Sequence, residues 1–284
     1  MSHDVPIIVD SHVHFWDPGK LRYAWLDGLP VLNRPMLPTD LANASASLRL
    51  SKFIFVESSC DASQSLAEVN WITGLAETEP RLKGIVASAP LERGKAARAD
   101  LESLARHPLV KGVRRNLQGE GKDFLKRPEL IEGLNLLPEF GFIFDLCVRA
   151  DQLPMVNELV RSLPQVTFVL DHFGKPAVRN RSYDPWARDI RALADLPNVS
   201  CKISGLTTEA DWAKWRNEDL EPYFKHALDC FGFDRILFGG DWPVATLATS
   251  YHRWVETVLA LVPDASDRER TQLFQTNAER IYRV

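Results

Sequence analysis

The chain has 284 residues, 45% hydrophobic and 25% charged, a balance that suits one globular barrel of ~250 residues with a full core. Its net charge of −4, with no dense Lys/Arg block, excludes a nucleic-acid backbone as the main partner. No apolar run approaches ~18 residues and no basic segment precedes an apolar stretch, so neither a membrane span nor a secretory signal is expected and the cytoplasm is the expected compartment.

Short runs rich in Ile, Val, Phe and Leu, bounded by turn residues, read as parallel strands covered by helices on both faces. The first, Pro6–Asp10, leads into Ser11-His12-Val13-His14. Side chains two apart on a strand share a face, so His12 and His14 can grip one divalent ion. Phe15–Pro38 is inserted next and carries Trp16, Tyr23 and Trp25 among Pro and Gly. In a parallel barrel the loop after a strand lies at the catalytic mouth, which makes the 15–38 insertion a candidate substrate cover. Lys52–Glu57 is the second run, with Glu57 at its end able to serve a site or a structural hydrogen bond. Helical spacing follows over Ser63–Glu77, placing Leu66, Val69, Trp71, Ile72 and Leu75 on one face behind Asp61 and Ser63 as caps.

Gly84–Ala89 and a helix over Ala97–Arg106 precede the fourth run, Val110–Arg115. Neighbouring side chains on a strand point oppositely, so one of Arg114 and Arg115 faces the mouth and the other pairs with an acid in the helix layer. The inward arginine, with Asn116, would hold a carboxylate or hydroxyls through its planar fork. A helix over Pro128–Phe140, the run Phe142–Cys147 and a helix over Asp151–Leu163 come next. Val166–Asp171 ends on His172, and a helix over Pro185–Ala194 follows. On Val199–Ile203, Lys202 and Ser204 share a face that reaches towards the site. A helix over Ala210–Cys230 precedes Arg235–Gly239, which runs into Gly240-Asp241-Trp242, and helices over Thr249–Leu261 and Asp267–Tyr282 complete the chain.

Strand then helix, eight times, predicts an α/β fold, a single (β/α)8 TIM barrel spanning 1–284 as one domain. A doubly wound sheet fits less well, because no glycine-rich turn follows the first strand. His12, His14, His172 and Asp241 all stand at carboxyl ends of strands. Three nitrogens and one oxygen suit one divalent metal, zinc or a neighbour, with a position left for water. Trp16, Trp25 and Trp242 flank these motifs and offer aromatic surface to a ring-shaped ligand. The cysteines form no CxxC pair, and Cys147 and Cys201 read as buried thiols at strand ends. His3, His107, His226 and His252 have no partner pattern, and Asn277 and Arg280 read as structural.

"VDSHVHFWDP", "GVRRNLQ", "LDHFGKP", "CKISGL", "LFGGDWPV" and the late "NAERIY" together resemble the lactonase branch of the amidohydrolase superfamily. That branch includes L-fuconolactonase, L-rhamnonolactonase and 2-pyrone-4,6-dicarboxylate lactonase. The resemblance covers nearly the whole chain. It implies that His12 and His14 are the family's HxH pair, His172 its strand-six histidine and Asp241 its strand-eight aspartate. Strand five ends Asp145-Leu146-Cys147, with no histidine or lysine to bridge two metals, so a binuclear centre is not expected. The family includes members active without a metal, so one metal at most is implied.

Ring-opening of a lactone needs a water, a base and a stabiliser for the oxyanion. Asp241 is the expected base, His172 assists it, and the histidines hold the metal or donate to the carbonyl. Trp16, Trp25, Arg114, Arg115, Asn116, Lys202 and Trp242 are the expected substrate contacts. The expected substrate is a sugar-acid lactone such as L-fucono-1,5-lactone, a small molecule met by a monomer or homodimer. A pyrone dicarboxylate or muconolactone-type ring is the second reading. Non-oxidative decarboxylation is a third, and a ligand-binding barrel without catalysis a fourth.

Overall fold

A computed structural model describes residues 5–284, so His3 lies outside the described residues. All eight predicted strands form: β1 (Ile7–Val13), β2 (Arg49–Val56), β3 (Leu82–Ser88), β4 (Val110–Arg114), β5 (Ile143–Leu146), β6 (Phe168–Leu170), β7 (Val199–Ile203) and β8 (Ile236–Phe238). They pair in chain order, every neighbour parallel, with helices between them. The fold is a (β/α)8 barrel.

Alternation along the strands divides the core in two. Phe53 and Phe55 of β2 face the helix layer, whereas Ile54 and Val56 face the centre. Val9, Val86, Ile143, Val169 and Leu237 fill that centre with them, and Ile281 and Tyr282 pack into it from the last helix. β1 breaks the alternation. Its register shifts between Asp10 and Val13, so Val9 and His12, three residues apart, both face inward.

The seam between β8 and β1 closes through residues just past the strands. Asp241 N–H donates to His12 O at 2.8 Å, His14 N–H donates to Trp242 O at 2.8 Å, and Ser11 Oγ donates to Phe238 O at 2.6 Å. Asp10 fastens the same seam. Its Oδ1 accepts from His12 N–H and Gly240 N–H, and its Oδ2 accepts from the Tyr251 hydroxyl. Burial pushes its carboxyl up to about 7.

The helices depart from expectation in four places. Ala210–Arg216 is turns rather than helix, and the helix begins at Asn217. There Asp211 accepts from Ala213 N–H, Trp215 Nε1–H donates to Ala248 O, and Asp219 accepts from Arg216 N–H, which caps the later start. Pro128–Phe140 divides into Pro128–Asn135 and Leu137–Phe140, and a π-turn over Gln272–Thr276 interrupts the last helix. A helix over Pro38–Ala44 closes the insertion, and its one buried residue, Leu41, is too little for a sequence period.

On the helix Ser65–Ala76 the buried face is Glu68, Val69 and Ile72, and Leu66 is 44% exposed instead of packed. Glu68 accepts from Ser58 N–H at 3.2 Å and meets the Tyr23 hydroxyl at 3.4 Å, tying the insertion to the end of β2. Burial, with the Glu57 charge nearby, pushes its carboxyl up to about 8. Glu68 is therefore protonated in the fold at neutral pH but ionised in the unfolded chain. Its contribution to stability is full below the ordinary value of 4.5, falls as pH rises to about 8, and is then constant. Glu68→Gln, which stays neutral, should gain stability over the natural protein by up to about 1.4 kcal/mol per pH unit through that window. Denaturation midpoints near its lower and upper ends check this, and an equal difference at both ends would refute it.

Candidate active site

The carboxyl end of the barrel gathers four donors from β1, β6 and β8. His14 Nδ1 lies 2.8 Å from Val56 O. A carbonyl only accepts, so Nδ1 carries the proton and Nε2 presents its lone pair. His172 Nδ1 is held 2.8 Å from Ser204 Oγ, and His12 Nδ1 lies 3.3 Å from Asp171 Oδ1. The outer nitrogen of each ring is thus engaged, and the three Nε2 atoms turn inward.

His12 Nε2 and His14 Nε2 stand 3.1 Å apart. Asp241 Oδ1 lies 3.5 Å from His14 Nε2, 3.8 Å from His12 Nε2 and 4.0 Å from His172 Nε2. Bonds of ~2.0–2.1 Å to nitrogen would set tetrahedral donors about 3.3–3.4 Å apart. Burial lowers His12 well below its ordinary value and His172 to about 4, so both rings are neutral. Burial pushes the Asp241 carboxyl up, and positive charge among His172, His14 and His12 pulls it below the usual range, a part that a bound cation would take over once the rings are neutral. Neutral imidazole lone pairs converging on a carboxylate are the donor set of a divalent cation.

The charge beneath the site points the same way. Lys202 is fully buried between Asp145 and Asp171, 3.1 Å from Asp171 Oδ1 and 3.2 Å from His12 Nδ1. Tyr282 donates its hydroxyl to Asp145. Arg114 donates Nε–H to Glu57 Oε1 at 2.6 Å, one Nη–H to Glu57 O at 2.6 Å and another to Asp171 Oδ2 at 3.2 Å. Four buried carboxylates, Glu57, Asp145, Asp171 and Asp241, thus face two cations, Arg114 and Lys202. Carboxylates outnumber cations in this low-dielectric site, which favours binding of a cation.

Backbone strain aims two of the four donors. His172 and Asp241 hold φ of 54° and 50°, in the left-handed region, and so do Phe173 and Lys175. Gly205 lets His172 fit. A Cβ there would lie 2.5 Å from His172 Nδ1, and its φ of 60° disfavours any side chain. Gly205→Ala should lower metal affinity and activity about 10- to 100-fold in a folded barrel, by displacing His172 from Ser204. Chelator competition and initial rates measure this, and unchanged values for both would sink it.

A cavity of about 260 Å³ opens above the donors, lined among others by His14, Trp25, Asn116, Lys175, His172 and Asp241. Several expected contacts lie elsewhere. Lys202 is sealed beneath His12 by its two aspartates. Trp16 is buried with Nε1–H on Leu32 O, and Trp242 is buried edge-on to Phe15. Aromatic bulk in these two serves packing, and only Trp25 reaches the cavity, its Nε1–H fixed on Ser58 O at 2.8 Å. Arg114 faces the cavity, but its fork is committed to Glu57 and Asp171 rather than free for a ligand. Arg115 faces outward to Glu92 and Glu120. Gln118, two residues past Asn116, lines the cavity, as do Lys175 and Thr208, which the sequence does not single out. Lys175 donates to Gln118 Oε1 at 2.5 Å and pairs with no carboxylate among the described residues. Its signal was its position three residues past His172, in a glycine-marked turn at a strand's carboxyl end.

Known proteins match this architecture. Residues 9–284 fit the family model described as amidohydrolase. L-fucono-1,5-lactonase of Burkholderia multivorans is 34% identical over 293 residues, covering 96% of this chain and 95% of that one. A 2-pyrone-4,6-dicarboxylate hydrolase of Comamonas testosteroni is 25% identical over 83% of this chain and 76% of its own. The crystal structure of a Burkholderia multivorans amidohydrolase with bound zinc superposes with a TM-score of 0.86 at 33% identity, covering 98% of this chain and 99% of that one. Together with the donor set at the barrel mouth, these place the chain in the amidohydrolase family, as a hydrolase of its lactonase branch.

Proposed function

We propose that the protein opens a sugar-acid lactone, of the L-fucono-1,5-lactone type, to its hydroxy acid at a single zinc site. The observation that carries this reading is the convergence of His12, His14 and Asp241, with His172 Nε2 4.0 Å from Asp241 Oδ1, beneath a cavity of about 260 Å³, room for one small ring. His12, His14, His172 and Asp241 would hold the ion, which when bound acidifies a water or polarises the lactone carbonyl. Asp241 is ionised at neutral pH, and each imidazole approaches it most closely at Oδ1, which leaves Oδ2 for the water. Asp241 takes the water's proton as oxygen bonds to the carbonyl carbon. It then returns the proton to the ring oxygen as the ester bond breaks. Trp25 offers its face to the ring's C–H side, and Lys175 and Asn116 donate to hydroxyls.

A pyrone dicarboxylate is less well served. It needs two cationic partners, and Lys175 is the cavity-lining cation left after Arg114 is committed. A panel of lactones followed by proton release, with metal content measured in parallel, tests the reading. Hydrolysis of a sugar lactone, about one zinc per chain and loss of rate on chelation are expected. Turnover of pyrone dicarboxylate with none on any sugar lactone would overturn it.

A further inference from the structure

Beside the catalytic cavity lies a larger one of about 700 Å³. It opens over the carboxyl end of β3, between the helices Ser65–Ala76 and Arg98–Ala105. Ser59 and Asn116 belong to the walls of both. Asn116 Nδ2 meets Ser59 Oγ at 3.4 Å, at the long and weak end of hydrogen bonding. Ser59, held at a φ of 54°, and the loosely bonded Asn116 amide thus stand between the two spaces, beside the Glu57–Arg114 pair. The catalytic cavity alone falls below the ~300–1,000 Å³ usual for ligand pockets. It accepts a single ring, and anything attached to that ring on the Ser59 side has to enter the larger space.

The walls of that space specify what it takes. Every cation on its walls is already paired: Arg115 with Glu92 and Glu120, and Arg93 with Asp100 at 3.1 Å, while Glu57 is held by Arg114. No cation is left for an anionic ligand. What remains is the hydroxyls of Ser59 and Ser88 beside the apolar surfaces of Leu66, Pro90 and Leu104. Leu66 is the apolar residue of its helix left 44% exposed, and it faces this groove. Hydroxyl partners set among small apolar patches suit a neutral sugar, whose edges are polar and whose faces are C–H.

We propose that the groove is a second subsite of the same active site, and that the natural substrate is a lactone bearing a neutral glycosyl or polyol substituent seated there. This rests on the lactonase reading and extends it. Binding energy from a remote substituent drives the reacting ring into position, so the smaller lactone should lose turnover as well as affinity.

The test compares the lactone of a disaccharide aldonic acid with that of its single-ring counterpart, in the natural protein and in Leu66→Trp and Ser103→Trp. Both substitutions fill the groove from its helical walls, away from the catalytic donors. The natural protein should favour the disaccharide lactone by about tenfold or more in kcat/KM, and both variants should lose that preference while keeping their rate on the single ring. Hydrolysis of the single-ring lactone alone overturns the subsite and leaves the lactonase reading standing. Equal slowing of both lactones in the tryptophan variants also overturns the subsite. Hydrolysis of neither lactone overturns both readings.

Discussion

Asp241→Asn should give a folded barrel whose kcat/KM on the lactone is about 100- to 10,000-fold lower, the range lost when a general base is removed. The substitution is chosen for the backbone as well as the chemistry. Asp241 holds a φ of 50°, and asparagine is among the few side chains that adopt this region readily. Asparagine also keeps an oxygen towards the imidazoles, so the donor geometry changes little while the proton acceptor is lost. Circular dichroism and a melting curve establish the fold, and initial rates over a substrate series separate kcat from KM. A fall in kcat with KM preserved assigns Asp241 to the transition state. Near-normal turnover in a folded variant would remove it from the mechanism.

Lys202→Met should destabilise the protein by about 3–5 kcal/mol, the cost of breaking a buried ion pair from one side. The methionine fills much of the space but leaves Asp145 without a cation and Asp171 with Arg114 alone. Asp145 is already pushed up to about 6 by burial with Lys202 beside it, so without Lys202 it rises further and binds a proton. A raised carboxylate pKa means stability that is present at low pH and lost as pH rises, so the deficit should be smaller near pH ~5 than near pH ~8. Denaturant midpoints at the two pH values measure both statements. Asp145→Asn in the Lys202→Met background should recover part of the loss. A variant as stable as the natural protein at both values would show that the buried charges are not coupled as their distances imply.

The strands were legible in the sequence because a parallel barrel buries both faces of each strand and writes them as continuous apolar runs. The four donors were legible for a related reason: they follow those runs directly, at carboxyl ends. The supporting charges were not. In the sequence Asp145 and Asp171 read only as strand ends, and Lys202 reads as a substrate contact. Parity does direct Lys202 inward, but depth along the strand is set by the stagger of neighbouring strands, which no local pattern records. Trp16 and Trp242 misled in the same way, since an aromatic next to a catalytic motif carries no mark of whether it turns to the ligand or to the core. Lys175 escaped notice because it follows the strand by a turn of left-handed residues, where a period of two no longer applies.

The seam of the barrel has a consequence for how this protein could change over evolutionary time. Asp241 and His14 join β8 to β1 through main-chain groups, independent of what their side chains are. Roundness and chemistry thus share residues but not atoms. A lineage could exchange His12 or His14, or replace Asp241 by a residue such as asparagine that accepts its left-handed φ, and with them the reaction, while inheriting a closed barrel intact. The converse does not hold: an insertion or deletion between His12 and His14, or between Gly240 and Trp242, would shift the register on which closure depends. Substitutions at the mouth are therefore the permitted route to new activities on this scaffold, and length changes are confined to loops such as 15–38.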